Sequence, residues 1–488
     1  MKKSRRTFLQ ITALLAAVSL IVAIISLSAC GSNKKPVLKA AAQTFSTTPK
    51  IGQETAGHLG AKIEKVYGDL KSTVVLLEYG DTKLCFLTSS LDGEDTCKIL
   101  IAKKLGLTKT QVVFASSHNH TVPSGSEELN RQFLEGLDSA LQGLEKKLVP
   151  VTVEWGVARE ERITYNRRGK RPDGRAYFIR EEDRMELGDS YIGTIDPDAT
   201  VVILRGKNGH PVTALTFFTG HPVTGYNPEH MVSFGQFPQV ACEKLSSYLG
   251  GVPVAFFQGC AGDINSKYML TGTIEQSRQL GEYLGDSFIK AANSVHISQR
   301  SDLQWARKKV NIPLAELPDT NSLKRDLASI DDFVRRGNSG DQNTMECVGM
   351  NFPKALTPPY RAKLVEMVRP WYVWALEQYR TGKAAETPKF LEIEIVVARL
   401  GDVGYVGMPF EPFVCIGLNI KRETPLPCVL TCGYTDGHYG YIPDSTACND
   451  REYMAGNFRY SRTRPPYRAP GGDAVGEVAV PVLKEFSK

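Results

Sequence analysis

Two histidines separated by one residue, where a buried strand gives out, are the first place in this chain where chemistry can be read. Ser116-Ser117-His118-Asn119-His120-Thr121 follows Gln111-Val112-Val113-Phe114-Ala115, an apolar, β-branched run that predicts a buried strand. Alternate side chains of extended backbone point the same way, so His118 and His120 are expected on one face at the strand end. Two imidazoles so placed can share a metal, or one can bind it while the other moves protons. The plainer reading is two loop histidines, one bonded to backbone and one solvated.

The same placement recurs along the chain. The apolar run Val212–Phe218 leads into Thr219-Gly220-His221, and Asp402–Gly407 leads into Met408-Pro409-Phe410-Glu411. Val252–Phe257 ends in a loop carrying Gly262-Asp263-Ile264-Asn265, and Cys428–Tyr434 opens into Asp436-Gly437-His438-Tyr439-Gly440-Tyr441. A catalytic Zn²⁺ takes about three protein ligands from imidazole and carboxylate and keeps a position open for water. His118, His221 and Glu411 fit that set. Of the eight histidines, His58, His210, His230 and His296 sit in ordinary polar or turn contexts and read as structural or solvated.

Such a set needs a scaffold that brings distant strand ends together. Strands are predicted at Ser72–Glu78, Lys83–Thr88, Val151–Val157, Ala199–Leu204 and Phe390–Val397, interleaved with helices over 95–105, 127–147, 237–249, 273–294 and 472–486. That alternation predicts an α/β protein of mixed β-sheets flanked by α-helices, with a site at strand ends. Asn321–Arg336 is an amphipathic helix stopped by Gly337, and Pro358–Tyr379 a helix kinked at Pro370; their apolar stripes face a core. The expected organisation is a signal segment over 1–30 and a linker over 31–50. One catalytic domain then spans 51–298 and 388–488, interrupted by a helical segment over 299–387.

The formal charge of +6 over 488 residues is misleading. Residues 1–35 carry Lys2, Lys3, Arg5, Arg6, Lys34 and Lys35 and no acid, which leaves a neutral body and no reason to expect nucleic acid as a partner. Ser4-Arg5-Arg6-Thr7-Phe8-Leu9-Gln10, ahead of an apolar stretch, resembles a twin-arginine export signal. Leu27-Ser28-Ala29-Cys30 resembles a bacterial lipobox, with Cys30 as the lipidated residue. The expectation is an exported body tethered to the membrane. Of the nine other cysteines, Cys428 and Cys432, or either with Cys448, are the pairs open to a disulfide; most are expected as small buried apolar residues.

Taken together, the motifs resemble the neutral/alkaline (non-lysosomal) ceramidases. His118-Asn119-His120-Thr121 with Pro123 and Gly125, Asn166-Arg167, His221-Pro222, Gly262-Asp263-Ile264-Asn265, Pro409-Phe410-Glu411 and Gly440-Tyr441 occur in that family's order. The likeness runs from about residue 50 to the C-terminus and is weakest across 300–387. It implies a zinc ion held by His118, His221, Glu411 and a residue of the 438–441 loop. The family's tyrosine ligand falls near His438, with Tyr439 and Tyr441 as alternatives. It also implies that His120 and Arg167 line the site, His120 relaying a proton and Arg167 holding a carbonyl, carboxylate or oxyanion. Two departures stand out. Asn265 replaces the family's serine, so its amide can stabilise an oxyanion but cannot act as a nucleophile. The chain also ends where larger ceramidases continue into an immunoglobulin-like domain. The expected function is zinc-dependent hydrolysis of an amide bond, N-acyl-sphingosine-like or another lipid or envelope amide. The alternatives are a surface lipoprotein that binds a ligand without turnover, and a metal-dependent ester or phosphoester hydrolase.

Overall fold

The computed structural model describes residues 36–53, 62–91, 94–122, 126–228 and 230–488. Cys30 and the export signal, His58, Pro123 and Gly125 lie outside the described residues. The chain divides into a unit Met1–Val37 and a unit Leu38–Lys488, and the second carries the elements that follow. Among the described residues no helix is long and apolar enough to cross a membrane.

The larger sheet contains β1 (Leu38–Ser46), β2 (Lys71–Tyr79), β3 (Thr82–Ser89), β4 (Val112–Ser116), β5 (Val149–Arg159), β6 (Asp198–Gly206), β7 (Pro211–Phe218) and β8 (Val254–Gln258). Its order is β8-β7-β6-β5-β1-β2-β3-β4, with His296–Ile297 added beside β5. The second sheet runs β9 (Leu303–Pro313), β10 (Phe390–Leu400), β11 (Val403–Gly407) and β12 (Cys428–Cys432) in that order. Three neighbouring pairs are parallel, β3 with β4, β7 with β8 and β11 with β12.

The apolar runs are continuous because both sheet faces are covered. In β2, Val74 and Leu76 face outward to α1 (Glu94–Leu105) and α2 (Glu127–Leu141), meeting Ile101, Phe133 and Leu137. Val75 and Leu77 face the other way, into a core shared with Val396, Ala398 and Leu430 of the second sheet. The other half of the larger sheet is covered by α3 (Gln236–Tyr248) and α4 (Ile274–Ala292) through Phe237, Leu284 and Phe288. A separate helical cluster comprises α5 (Thr320–Asn338), α6 (Pro358–Glu366) and α7 (Arg369–Arg380). Finally, α8 (Val414–Glu423) and α9 (Ala474–Phe486) back the second sheet through Ile416, Ile420 and Leu483. The result is helix, sheet, sheet, helix. Bridges from Ala115 to Thr435 and from Gly259 to Cys432 tie the two sheets together at the C-terminal ends of β4, β8 and β12.

Four expectations need correction. The span 31–50 is not all linker, because Leu38–Ser46 is strand β1, paired over its length with β2. Its alanines carry little β-propensity of their own, and pairing on both sides decides its conformation. The segment 299–387 is not all helical either, since Leu303–Pro313 pairs along β10 as an edge strand. Its exposed Lys308 and Lys309 are the charges that keep an edge from pairing further. Pro358–Tyr379 is two helices rather than one kinked helix, because Pro370 opens α7 at its first turn. Lastly, the nine described cysteines are free thiols. Cys428 and Cys432 stand at opposite ends of one extended strand, about 13 Å apart at the usual rise, beyond disulfide reach.

Candidate metal centre

Strand β4 stops at Ser116, so the extended alternation expected to align the histidines does not reach them. His118 instead takes a left-handed φ of 56°, with its N–H donated to the Ser116 hydroxyl at 3.1 Å. A non-glycine residue in that region is strained, and such strain is commonly found at functional sites. The turn brings the two rings together anyway: their centroids are 4.8 Å apart and their Nε2 atoms 3.2 Å apart. Backbone bonds hold the pair against the next loop, His120 N–H to the Pro222 carbonyl at 3.2 Å. The buried Asn119 amide is fixed on the Phe234 carbonyl at 2.7 Å.

His221, just past β7, is fully buried. Its Nδ1–H donates to the Ala261 carbonyl at 2.6 Å, which fixes the tautomer and leaves Nε2 with a lone pair. That lone pair lies 2.8 Å from Glu411 Oε2. Burial, and then the neighbouring Arg167 guanidinium, push the His221 imidazolium down to about 3. Burial alone would raise the Glu411 carboxyl, but His118 and His221 outweigh it and hold it well below the ordinary value. His221 Nε2 and the Glu411 carboxylate therefore face each other at hydrogen-bond distance, a contact that needs a proton or another cation between them. His118 Nε2 approaches the same Oε2 at 3.2 Å, and the ligand atoms of His118, His120 and His221 all lie within 4.8 Å of one another. Three imidazoles and a carboxylate form a donor set suited to a metal such as zinc.

A second feature fits a bound group. Tyr434, two residues past β12, is buried at φ 53° with its ring stacked on His118 at 4.5 Å. Its hydroxyl has no hydrogen-bond partner among the described residues, and the Glu411 charge acts on it. Sequence reasoning missed Tyr434. It closes the apolar run 428–434, and the strand-end rule finds it once tyrosine is counted beside histidine and glutamate.

The 438–441 loop divides three ways. His438 Nε2 is 3.6 Å from Glu411 Oε1, and its ring lies 5.8 Å from that of His118. Its side chain is 57% exposed, so it stands on the open rim. Tyr439 packs its ring on Phe410 at 5.6 Å. Tyr441 is buried, lies parallel to the His221 ring at 6.2 Å and accepts from Arg167 Nη2 at 2.9 Å.

Arg167 follows the short strand Thr164–Asn166 and is buried. It donates from Nε and Nη2 to the Gly262 carbonyl at 3.2 and 2.7 Å and from Nη1 to Asn265 Oδ1 at 2.9 Å. Nη2 comes within 3.4 Å of His221 Nε2. The expected oxyanion role of Asn265 does not match this geometry: its Nδ2 points at Met269 Sδ at 2.9 Å and Tyr165 Oη at 3.5 Å. Its carbonyl is engaged by Arg167, which makes Asn265 a positioning residue. Asp263 accepts the Val414 N–H opening α8 at 2.7 Å and Asn166 Nδ2 at 3.0 Å; burial pushes its carboxyl up to about 6. Gly262 beside it admits no side chain, since a Cβ there would meet the Glu411 carbonyl at 2.4 Å. The Gly262-Asp263 element thus fits the backbone of the Glu411 loop closely.

No family model matches the chain, and no curated protein matches it in sequence. Solved structures do. The neutral ceramidase from Pseudomonas aeruginosa superposes with a TM-score of 0.62 at 14% identity, over 93% of this chain and 75% of that one. A ceramidase complexed with C2 superposes with a TM-score of 0.62 at 15% identity, over 93% and 76% of the two chains. At such identity the likeness is one of architecture: the mixed sheets and flanking helices are those of the neutral ceramidase fold.

Proposed function

We propose that this chain is a zinc-dependent hydrolase of an amide bond, N-acyl-sphingosine-like or another lipid or envelope amide. The observation that carries it is the pairing of a tautomer-locked imidazole acceptor with the buried Glu411 carboxylate, 2.8 Å apart at the meeting point of several strand ends. The fold supports it, being that of ceramidase structures. His118, His221 and Glu411 hold the metal, and His438 at the rim or Tyr434 from below completes the set. A bound zinc supplies Lewis acidity and a water acidic enough to react near neutral pH. His120 presents Nε2 beside His118 and moves the proton from water to the leaving amine. Arg167, held by Gly262, Asn265 and Tyr441, presents a fixed positive charge to the substrate carbonyl as it gains negative charge. The N-terminal sequence supports an extracytoplasmic body anchored at the membrane through lipidated Cys30.

Elemental analysis after dialysis against zinc should give about one ion per chain. A panel of N-acyl amides, esters and phosphoesters with a common fluorophore then reads the bond type. A well-folded protein that takes up no zinc overturns the proposal, as does a zinc-loaded protein that cleaves only esters or phosphoesters.

A further inference from the structure

A cavity of about 120 Å³ opens beside the imidazoles. His120, Arg167 and Tyr441 form its polar end, and the remainder is mainly apolar, with Met269, Phe352 and Leu356 beside the rings of Tyr226, Tyr360 and Tyr453 and the Asn351 amide. Phe352 and Leu356 come from the helical segment, so that segment walls the site and is not a separate appendage. The wall is fixed. Asn351 accepts the Phe178 N–H at 2.9 Å and donates to the Phe178 carbonyl at 2.8 Å. Arg180 Nη1 holds the Phe352 carbonyl at 3.3 Å, and the Phe333 ring packs on Phe352 at 5.7 Å.

Size limits what enters. An apolar cavity of ~150 Å³ accepts a benzene ring, and sites for drug-sized ligands run to ~300–1,000 Å³. Charge decides which side of the bond enters. Among the described residues no carboxylate lines the cavity, and Arg167 stands at its polar end. An ammonium leaving group is repelled there, whereas an acyl group and its carboxylate product match a cation backed by apolar walls.

Resting on the amide-hydrolase reading, we infer that this cavity takes the acyl side of the substrate and selects short chains, up to about six carbons, over long fatty acyl chains. One methylene seated in or missing from an apolar pocket is worth about tenfold or more in discrimination, so chains that fill the cavity should be favoured over shorter ones and over those that must leave it.

The test is a series of N-acyl aminomethylcoumarins from acetyl to palmitoyl, assayed with the zinc-loaded full chain. The expected kcat/KM peaks at butyryl or hexanoyl and falls at least about tenfold by dodecanoyl. Leu356→Ala, and Phe352→Leu where that variant folds poorly, should move the peak to longer chains. A peak at dodecanoyl or palmitoyl, or a profile that neither variant moves, overturns the inference while leaving amide hydrolysis intact. If no amide is cleaved, the hydrolase reading fails, and calorimetric titration with butyrate, hexanoate and decanoate still tests the cavity. Hexanoate binding about tenfold tighter than decanoate supports it, and equal or reversed affinity overturns it.

Discussion

Glu411 and Asp436 are two buried carboxylates at the same end of the molecule, and their surroundings could hardly differ more. Asp436 is clamped between permanent cations, Lys98 Nζ and Arg307 Nη2, each at 2.7 Å, and also accepts the Phe114 N–H at 2.8 Å. It joins α1, β4 and β9 to the loop after β12, and its charge is fully compensated by side chains. Glu411 has no such clamp: His221, His118 and His438 face it at 2.8, 3.2 and 3.6 Å. A lysine or arginine neutralises a carboxylate and finishes the job. A titratable imidazole can give up its proton and offer a lone pair, so a metal cation can take over as the counter-charge. The first arrangement builds structure, and the second builds a binding site.

The same isosteric change should therefore have opposite consequences at the two places. Glu411→Gln should abolish zinc uptake and lower kcat/KM by ~10³-fold. A variant that keeps zinc stoichiometry and turnover would remove Glu411 from the ligand set.

Asp436→Asn should do the reverse. It suits the left-handed φ of 55°, which asparagine tolerates, but strands Lys98 and Arg307 with one positive charge too many. Equilibrium unfolding should show a loss of ~3 kcal/mol, with zinc content per folded chain unchanged. Equal loss of metal in both variants would show that the two carboxylates are not separable in this way.

What could be read from sequence follows the same division. His118, His221 and Glu411 were legible because each ends an apolar run, and a buried strand that gives way to a polar loop announces itself locally. The Asp436 clamp was not, because Lys98 and Arg307 come from elements whose meeting depends on two sheets packing face to face. Tyr434 and the inward turn of Asn265 were hidden for the same reason. The cavity needs Phe352 and Leu356, which lie between the two helices that patterning predicts in 299–387, where no periodic run marks them. Strand β1 was missed because alanines carry no strand signal and its neighbours supply one.

Asp263 sharpens the comparison from a third side, as a buried carboxylate with hydrogen-bond donors and, among the described residues, no cation in contact. With its carboxyl pushed up to about 6 by burial, the folded chain binds this proton more tightly than the unfolded chain between about pH 4 and 6. Its contribution is thus fully favourable below about pH 4, falls as pH rises through that window, and is flat above it. The difference in unfolding free energy between Asp263→Asn and the parent should accordingly shift in the variant's favour by on the order of 2 kcal/mol from pH 4 to pH 7. Denaturant titrations across pH read this directly, and parallel curves would mean that Asp263 stays ionised throughout.

The smallest effect is expected at His438, where the contrast between clamp and site is weakest. Its side chain is 57% exposed and its Nε2 stands farther from the Glu411 carboxylate than that of the buried His221 or the half-buried His118. A ligand on that rim has solvent as its competitor, and water can take its place at little cost. His438→Ala should therefore weaken zinc binding by about tenfold, measured by competition with a chelator, and leave the fold untouched. Tyr434→Phe provides the opposing control, because it removes a buried hydroxyl that has no partner among the described residues. If the tyrosine variant loses more zinc affinity than the histidine variant, the fourth position belongs to the buried side of the centre. If the order is reversed, it belongs to the rim, and the loop after β12 closes the site from solvent inward.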